Sequence, residues 1–256
     1  MLMGTKRGWL LAGGLLLLLA ITVLFGFHDD SLWEPIPSKV TGMQAAPEDS
    51  GEVDLSEPFP DAPTGGTPGP FQLQVADGSR IIGGYSDQGR DGEWIRLSSN
   101  GQLLVSGTYS DGVLNGEWSS YYRETGVLRE AGSYGEGMAE GTWKMYYPQG
   151  TLFESIEFQG GKPHGRWTMH HPDGSLADDM TWANGNQVGL ETDYEPDGRV
   201  VAQGSFELHR PSGEWVCFEP GGTKRVIPAP ADRLTPRHAC GFGPGPEEPD
   251  APPSPD

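Results

Sequence analysis

The chain has 256 residues, of which 39 are glycine and 23 are proline, and only 35% of the residues are hydrophobic. This composition excludes one thick core and favours thin β-structure with many turns, flanked by disordered segments. The formal net charge is −19 and Lys and Arg form no cluster, which argues against nucleic acid as a partner because phosphate binding needs a basic surface.

The first predicted element is a membrane-spanning helix at residues 9–27, which carry no charged side chain. As a helix these residues span about 28 Å, close to the hydrocarbon thickness of a bilayer. Lys6 and Arg7 precede the helix, so residues 1–8 are predicted to be cytoplasmic and the rest to lie outside, in the periplasm or on the surface of a bacterium. The alternative is a cleaved signal peptide, which would make the protein secreted, but bulky residues stand where a cleavage site needs small ones.

Two segments are predicted to be disordered. Residues 28–70 are acidic and rich in proline, with few aromatic side chains, so they cannot bury enough apolar surface to offset the entropy lost on ordering. We therefore expect a linker there. The tail at residues 227–256 has a similar composition, and we expect a short segment that caps the preceding domain before the chain becomes disordered.

Residues 71–226 contain an internal repeat with a step of 24 or 25 residues. Gly-x-Trp recurs with this step, an aromatic residue precedes each Trp by nine positions, and a glycine follows it by seven or eight. Turn sequences such as Pro-Asp-Gly at residues 172–174 separate short runs rich in Tyr, Trp, Val and Leu, which predicts one β-hairpin per repeat. Single hairpins are marginal in water, so the predicted fold is all-β, an elongated antiparallel meander of stacked hairpins.

The repeated aromatic residues are predicted to form core ladders, because each repeat buries its apolar face only against its neighbours. One column consists of Trp94, Trp118, Trp143, Trp167 and Trp215. The column nine residues earlier consists of Tyr85, Tyr109, Tyr134, Phe158, Trp182 and Phe206.

The repeat follows the pattern Gly-x-Tyr…Gly-x-Trp-x-x-Tyr-x-x-x-Gly-x-Leu, carried most clearly by Gly132, Tyr134, Gly141, Trp143, Tyr146, Gly150 and Leu152. This pattern resembles the MORN-repeat variant (membrane occupation and recognition nexus) over residues 71–225. The resemblance implies an elongated antiparallel sheet that binds proteins or lipids. A bacterial branch of that family is labelled antitoxin-like, but the predicted anchor departs from that branch because it places the repeats outside the cytoplasm.

Two cysteines stand at the end of the array, Cys217 in the last repeat and Cys240 in the tail. In an oxidising compartment they can form a disulfide that fastens the tail across the open edge of the sheet, an edge that needs cover. The alternative is a pair of independent thiols, because the sequence does not contain the geometry that a disulfide requires.

One repeat departs from the pattern, with Glu191 in the tryptophan position. Asp193 follows it, and His170 and His171 lie in the previous repeat. Carboxylates and imidazoles together can bind a metal or transfer a proton, which makes these four residues a candidate binding site. The other interpretation is a decayed repeat with a solvent-facing Glu and histidines in tyrosine positions. Because the four lack ligand spacing, no metal or catalytic residue is predicted.

The sequence contains no nucleophile elbow, phosphate-binding loop, dinucleotide fingerprint or paired CxxC, so we expect no enzyme activity and no cofactor. We expect a membrane-anchored, extracytoplasmic scaffold for protein–protein interaction, with an envelope protein as the partner. One alternative is a module that binds envelope glycans or lipids through exposed aromatic rings. Another is an antitoxin or immunity-type protein whose acidic surface masks a basic partner.

Overall fold

The computed structural model describes residues 58–61, 67–231, 235–243 and 245–246. Within these residues, fifteen strands form one antiparallel sheet in which each strand pairs with the next along the chain. The short strand β3 is the exception, since it pairs with β2 and leaves β2 and β4 as neighbours. The predicted all-β meander is confirmed.

The strands and the one short helix of the described residues are β1 Gly69–Gln74, β2 Arg80–Ser86, β3 Gly89–Arg90, β4 Gly92–Leu97, β5 Leu103–Ser110, β6 Val113–Tyr121, β7 Leu128–Gly135, β8 Met138–Tyr146, β9 Leu152–Gln159, β10 Lys162–His170, β11 Leu176–Ala183, β12 Asn186–Tyr194, β13 Val200–Glu207, β14 Arg210–Phe218, β15 Lys224–Pro228 and α1 Pro236–Ala239. The sheet thus begins at Gly69 and ends at Pro228, slightly beyond the predicted bounds of 71–226.

The predicted membrane helix at residues 9–27 and the cytoplasmic residues 1–8 lie outside the described residues. In the part of the chain that the structure describes, no helix has the length and apolar character needed to cross a membrane.

The hairpin turns form because glycine and aspartate stand at fixed positions in each repeat. In the turn after β10, Gly174 has a φ of 88°, which glycine adopts without a steric cost, and its N–H donates to the carbonyl of His171 at 2.8 Å. The carboxylate of Asp173 accepts from the N–H of Ser175 at 2.9 Å. These local bonds reverse the chain and fix the pairing of β10 with β11.

One face of the sheet carries the tryptophan column, and all five of its members are buried. Each ring approaches a residue eleven positions earlier, on the preceding strand of the sheet, and in four of the five cases that residue is glycine. A Cβ built on such a glycine would come within 2.2 Å of the ring for Gly83 on Trp94, 2.2 Å for Gly132 on Trp143, 2.5 Å for Gly204 on Trp215 and 2.9 Å for Gly107 on Trp118. The space for each ring therefore exists because the neighbouring strand has no side chain there.

The segment at residues 58–61 belongs to the core, and the expectation of a disordered linker over 28–70 is wrong for it. The Phe59 ring is 2% exposed and lies 5.7 Å from the ring of Trp94 and 6.1 Å from that of Tyr109, between centroids. Arg90 holds the segment by donating to the Phe59 carbonyl at 3.2 Å and by an ion pair with Asp61 at 2.6 Å. The burial of the Phe59 ring against the first repeats offsets the conformational entropy that this segment loses when it becomes ordered. The remaining linker residues, 28–57 and 62–66, lie outside the described residues.

The described part of the tail packs against the last repeats. Helix α1 begins with Pro236, is capped by the Thr235 side chain, and contacts β12, β13 and β14. Residues 232–234, 244 and 247–256, for which the sequence predicted a cap followed by disorder, lie outside the described residues.

The tryptophan–glycine contact predicts the effect of a single methyl group in β7. We expect Gly132→Ala to lower the free energy of unfolding by about 1–3 kcal/mol, because its Cβ would lie 2.2 Å from the Trp143 ring and force a shift of the ring or the strand. Urea denaturation followed by tryptophan fluorescence measures this change.

The matched control is Gly135→Ala in the same strand, where a Cβ meets no atom within 4 Å and φ lies outside the left-handed region. This control should change the free energy of unfolding by well under 1 kcal/mol. Equal effects of the two variants would contradict the proposed role of the glycine column.

Candidate functional site

Three acidic side chains, Asp178, Glu191 and Asp193, form a carboxylate cluster on the tryptophan face of β11 and β12. One oxygen from each lies within 4.8 Å of the others. Asp178 and Asp193 are direct partners in the β11–β12 register, and Glu191 lies two residues from Asp193 on the same face. Asp178 is 9% exposed, Glu191 3% and Asp193 1%. A buried group of like charges is costly unless protons or cations balance it.

The acidic column that contributes Asp178 recurs every 24 residues, with Glu130 and Glu154 in the two preceding repeats. In those repeats a tryptophan supplies the compensating donor. The indole N–H of Trp118 donates to Glu130 at 3.2 Å, and that of Trp167 donates to Glu154 at 2.5 Å. Buried carboxylates of this column are thus stabilised by a hydrogen bond from an indole.

In the fifth repeat both partners of the tryptophan–glycine contact have changed. Glu191 stands in the tryptophan position, so Asp178 faces a second carboxylate where the preceding repeat offers the indole of Trp167 to Glu154. Met180, 4% exposed, stands in the column of the glycines, where its side chain fills space that an indole occupies in other repeats. The interpretation of Glu191 as a solvent-facing residue of a decayed repeat is wrong, because the altered packing buries the carboxylate.

The hydrogen bonds of the cluster are unevenly distributed. The side-chain amide of Gln187 donates to Glu191 Oε2. Both carboxylate oxygens of Asp193 are buried and have no hydrogen-bond donor among the described residues. A hydrogen bond from Asp193 to a neighbouring carboxyl group requires that one of the two be protonated. The cluster therefore needs a proton or a cation to satisfy Asp193.

Burial raises the pKa of Glu191 to about 8, and the negative charge of Asp178 adds to the rise. Burial also raises the pKa of Asp193 well above its usual range, with the charge of Glu191 as the next cause, while Arg237 opposes the rise. The charge of Asp178 thus disfavours the ionised form of Glu191, and the charge of Glu191 disfavours that of Asp193, in a medium that screens poorly. Without a cation, the cluster holds a proton at neutral pH.

The C-terminal segment lies beside the cluster. Arg237 of α1 makes an ion pair of 2.9 Å with Glu195, just after β12. A Cβ on Gly245 would lie 3.6 Å from Asp178 Oδ2, which places the chain there against the cluster. A disulfide joins Cys217 of β14 to Cys240, with an S–S distance of 2.01 Å, and so holds the end of α1 on the sheet. The cluster is buried because this cap covers it.

The two histidines of the candidate site have other surroundings. His171 Nε2 lies 3.1 Å from the carbonyl oxygen of Tyr194. The hydroxyl groups of Tyr122 and Tyr147 make the corresponding bond to a carbonyl of the next repeat, at 2.6 and 2.8 Å. The His171 side chain therefore makes the contact to the next repeat that the hydroxyl groups of Tyr122 and Tyr147 make in the earlier repeats. Burial lowers the pKa of His170, and neither histidine belongs to the grouped acidic ligands.

Of the four residues singled out in the sequence, the structure brings together Glu191 and Asp193 and adds Asp178, which sequence reasoning missed. The signal that could have found Asp178 is the 24-residue acidic column, which aligns it with Glu130 and Glu154. The grouped side chains are all carboxylates. They offer a ligand set for a proton or a hard cation, and no hydroxyl, thiol or imidazole for nucleophilic chemistry.

The raised pKa of Glu191 predicts a pH dependence of stability in a chelating buffer. The folded value of about 8 exceeds the unfolded value of 4.5, so between these values the folded state holds a proton that the unfolded state has lost. The free energy of unfolding should therefore be highest near pH 5 and should fall as pH rises towards 8. The slope for one such group reaches about 1.4 kcal/mol per pH unit. Urea denaturation at pH 5 to 9 measures it.

Glu191→Gln should flatten this slope, because the neutral amide leaves no proton to lose at that position. Glu214→Gln removes an exposed acid in the next repeat and should leave the slope as it is. A stability that rises with pH over this range, or an unchanged slope in Glu191→Gln, would contradict the burial of a shared proton.

Comparison with known proteins places one repeat in a family. Residues 139–159 match the family model described as MORN repeat variant. The matched stretch covers nearly all of β8 and β9 and includes Trp143 with its buried ring. No curated protein matches the chain. The chain therefore carries a MORN repeat variant at residues 139–159, within an array whose other copies share its tryptophan and glycine columns.

Proposed function

We propose that this protein is a membrane-anchored scaffold outside the cytoplasm, whose repeat sheet binds another protein through the face opposite the tryptophans. The observation that carries the proposal is a row of half-exposed aromatic side chains on that face. We name this row the aromatic stripe. It consists of Tyr121, Tyr146, His170, Tyr194 and Phe218, each three residues after a tryptophan position.

The aromatic stripe lies on the side of the sheet away from the tryptophans. The hydroxyl of Tyr121 is 3.5 Å from the hydroxyl of Ser119, two residues away on the same face of the strand. Trp118, next to Ser119 in the strand, is buried on the other face. Half-exposed apolar residues are the strand partners of the first four members: Leu128, Leu152, Leu176 and Val200. Partly exposed tyrosines among aliphatic side chains are typical of protein-binding surfaces.

Charge on the same face indicates the chemistry of the partner. The residue before the tryptophan points to this face, and it is an exposed glutamate in three repeats, Glu93, Glu117 and Glu214. The net charge of −19 adds a long-range negative potential. We therefore infer a partner with basic side chains around an apolar patch, attracted by complementary charge.

Binding to a glycan or a lipid has less support. Sugar stacking needs a ring with an open face. The tryptophan column and most of the aromatic column before it are buried, and the rings of the aromatic stripe are only half-exposed and lie beside aliphatic strand partners. The negative charge of the chain repels the anionic lipids of membranes. We infer binding rather than catalysis because the cluster that concentrates titratable groups offers carboxylates alone and lies under the C-terminal cap.

The location of the scaffold rests on two observations. The disulfide between Cys217 and Cys240 supports an oxidising compartment, because such bonds are rare in the cytoplasm. The apolar segment at residues 9–27, preceded by Lys6 and Arg7, supports an anchor with the array on the far side of the membrane.

Site-specific photo-crosslinking of the full chain in its native membrane tests the proposal. A photoreactive phenylalanine analogue at Tyr146 or Tyr194 should give an adduct with one protein. The same analogue at Asp197, in the exposed turn after β12, serves as the control and should give little or none.

If the partner is a protein held by the stripe, Tyr146→Ala should weaken binding of the purified partner by about thirtyfold, as expected for an interface residue worth about 2 kcal/mol. Adducts only with lipid or glycan, or equal protein adducts from Asp197, would contradict binding through the stripe.

A further inference from the structure

We propose that Asp178, Glu191 and Asp193 form a binding site for a divalent cation of the Ca²⁺ class, closed by the C-terminal cap. This inference goes beyond the proposed scaffold function, because the cluster lies on the tryptophan face and the aromatic stripe lies on the other.

Asp193 is a buried carboxylate without a hydrogen-bond donor among the described residues. Its side chain is 1% exposed, lies opposite Asp178 across two paired strands, and has no donor to either oxygen among the described residues. Buried carboxylates elsewhere in the same array have donors. Glu130, for example, accepts from the indole of Trp118 and from the hydroxyl of Ser120, at 3.2 and 3.1 Å. The lone pairs of Asp193 point into a group of acids and are available to a cation.

A divalent cation balances the negative charge of this cluster more fully than a shared proton does. A proton neutralises one of three carboxylates and bonds one pair of oxygens. A divalent cation neutralises two negative charges and takes an oxygen from each of the three side chains at once. Arg237 does not replace the cation, because its guanidinium bonds Glu195 at 2.9 Å and the carbonyls of Gly243 and Tyr194 at 2.8 and 3.3 Å.

The ligand atoms and their separations indicate the type of cation. All three ligands are carboxylate oxygens, which favour hard cations over zinc or copper. Ligands of Ca²⁺ lie at about 2.3–2.6 Å, so two oxygens on opposite sides of the ion are about 5 Å apart. Mg²⁺ ligands at about 2.0–2.1 Å allow only about 4.2 Å. The three oxygens lie within 4.8 Å of one another, which fits the ligand span of Ca²⁺, whereas Mg²⁺ requires separations of about 4.2 Å or less.

The described part of the cap lies against the site. The chain at Gly245 lies against Asp178, α1 packs on β12 to β14, and the disulfide from Cys217 to Cys240 keeps the cap attached. The positive charge of Arg237 acts on Asp193, Glu195 is the ion-pair partner of Arg237, and His171 contacts the Tyr194 carbonyl that also accepts from Arg237.

Thermal unfolding of the full chain tests the site. The protein is stripped with a chelator, dialysed at pH 7.5, and melted with CaCl₂ or MgCl₂ from 0.01 to 10 mM. We expect a saturable rise in Tm with Ca²⁺, about 5–10 °C at a hundredfold excess over Kd, and a smaller rise with Mg²⁺. Titration calorimetry should give one Ca²⁺ per chain.

Asp193→Asn is the deciding variant, because the amide keeps the shape of the side chain and removes its charge. Its Tm without cation should equal or exceed that of the parent, since a buried like charge is gone. Its rise in Tm with Ca²⁺ should be lost. Glu214→Gln, which removes an exposed acid outside the cluster, is the matched control and should respond as the parent does.

Three outcomes would overturn the proposal. The parent shows no rise in Tm and no calorimetric binding, or Asp193→Asn keeps the full response, or Ca²⁺ binds without saturation and equally in all variants, as it would on an acidic surface. If Asp193→Asn fails to fold, Asp178→Asn is measured in its place by the same criteria. Each result concerns the tryptophan face alone and leaves the crosslinking test of the stripe independent.

Discussion

The packing of a tryptophan ring over a glycine of the preceding strand is the contact on which the array depends. A hairpin of this length has no interior of its own, so its ring is buried only because the neighbouring strand carries no side chain beneath it. The contact recurs with the repeat, and it fixes both the register of the strands and the face that is apolar. All other features of the sheet are arranged around this column.

The contact also constrains how a repeat can change. Where the glycine becomes Ile156, Trp167 stays buried, donates to Glu154 and lies 4.8 Å from the ring of Trp182. Where it becomes Met180, the tryptophan is replaced by Glu191. Of the two repeats without the glycine, the one with Met180 has also lost its tryptophan, and there the change produces a group of buried acids beside a separately attached cap.

The fold could be predicted from the sequence because its determinants are local and recur. Gly-x-Trp and the turn sequences establish the strand pairs by spacing alone, and the match at residues 139–159 agrees with that pattern. The burial of Phe59 could not be predicted, because its contacts are with Trp94, Tyr109 and Trp118, at least 35 residues away along the chain. Composition describes the average of a segment and misses one side chain that fills a gap.

The candidate site was predictable only in part, for a related reason. Glu191 stood out because it interrupted a column, and Asp193 because it was near in sequence. Asp178 follows the acidic column of Glu130 and Glu154, so nothing in the sequence distinguishes it. Only the strand register shows that it lies opposite Asp193. The environment of Glu191 depends on Met180 and on the cap, which arrives from the end of the chain, so whether the carboxylate faces solvent is decided by tertiary packing.

The residues of the two outermost strands determine whether the sheet can extend into a second chain. The sheet of the described residues begins at β1 and ends at β15, and each of these outer strands presents an edge that could pair with a second molecule. Strand β1 carries Pro70, which has no N–H to donate, and β15 exposes Lys224 and Arg225 and ends at Pro228. Such edges oppose fibre formation, and they leave the two broad faces as the surfaces for recognition.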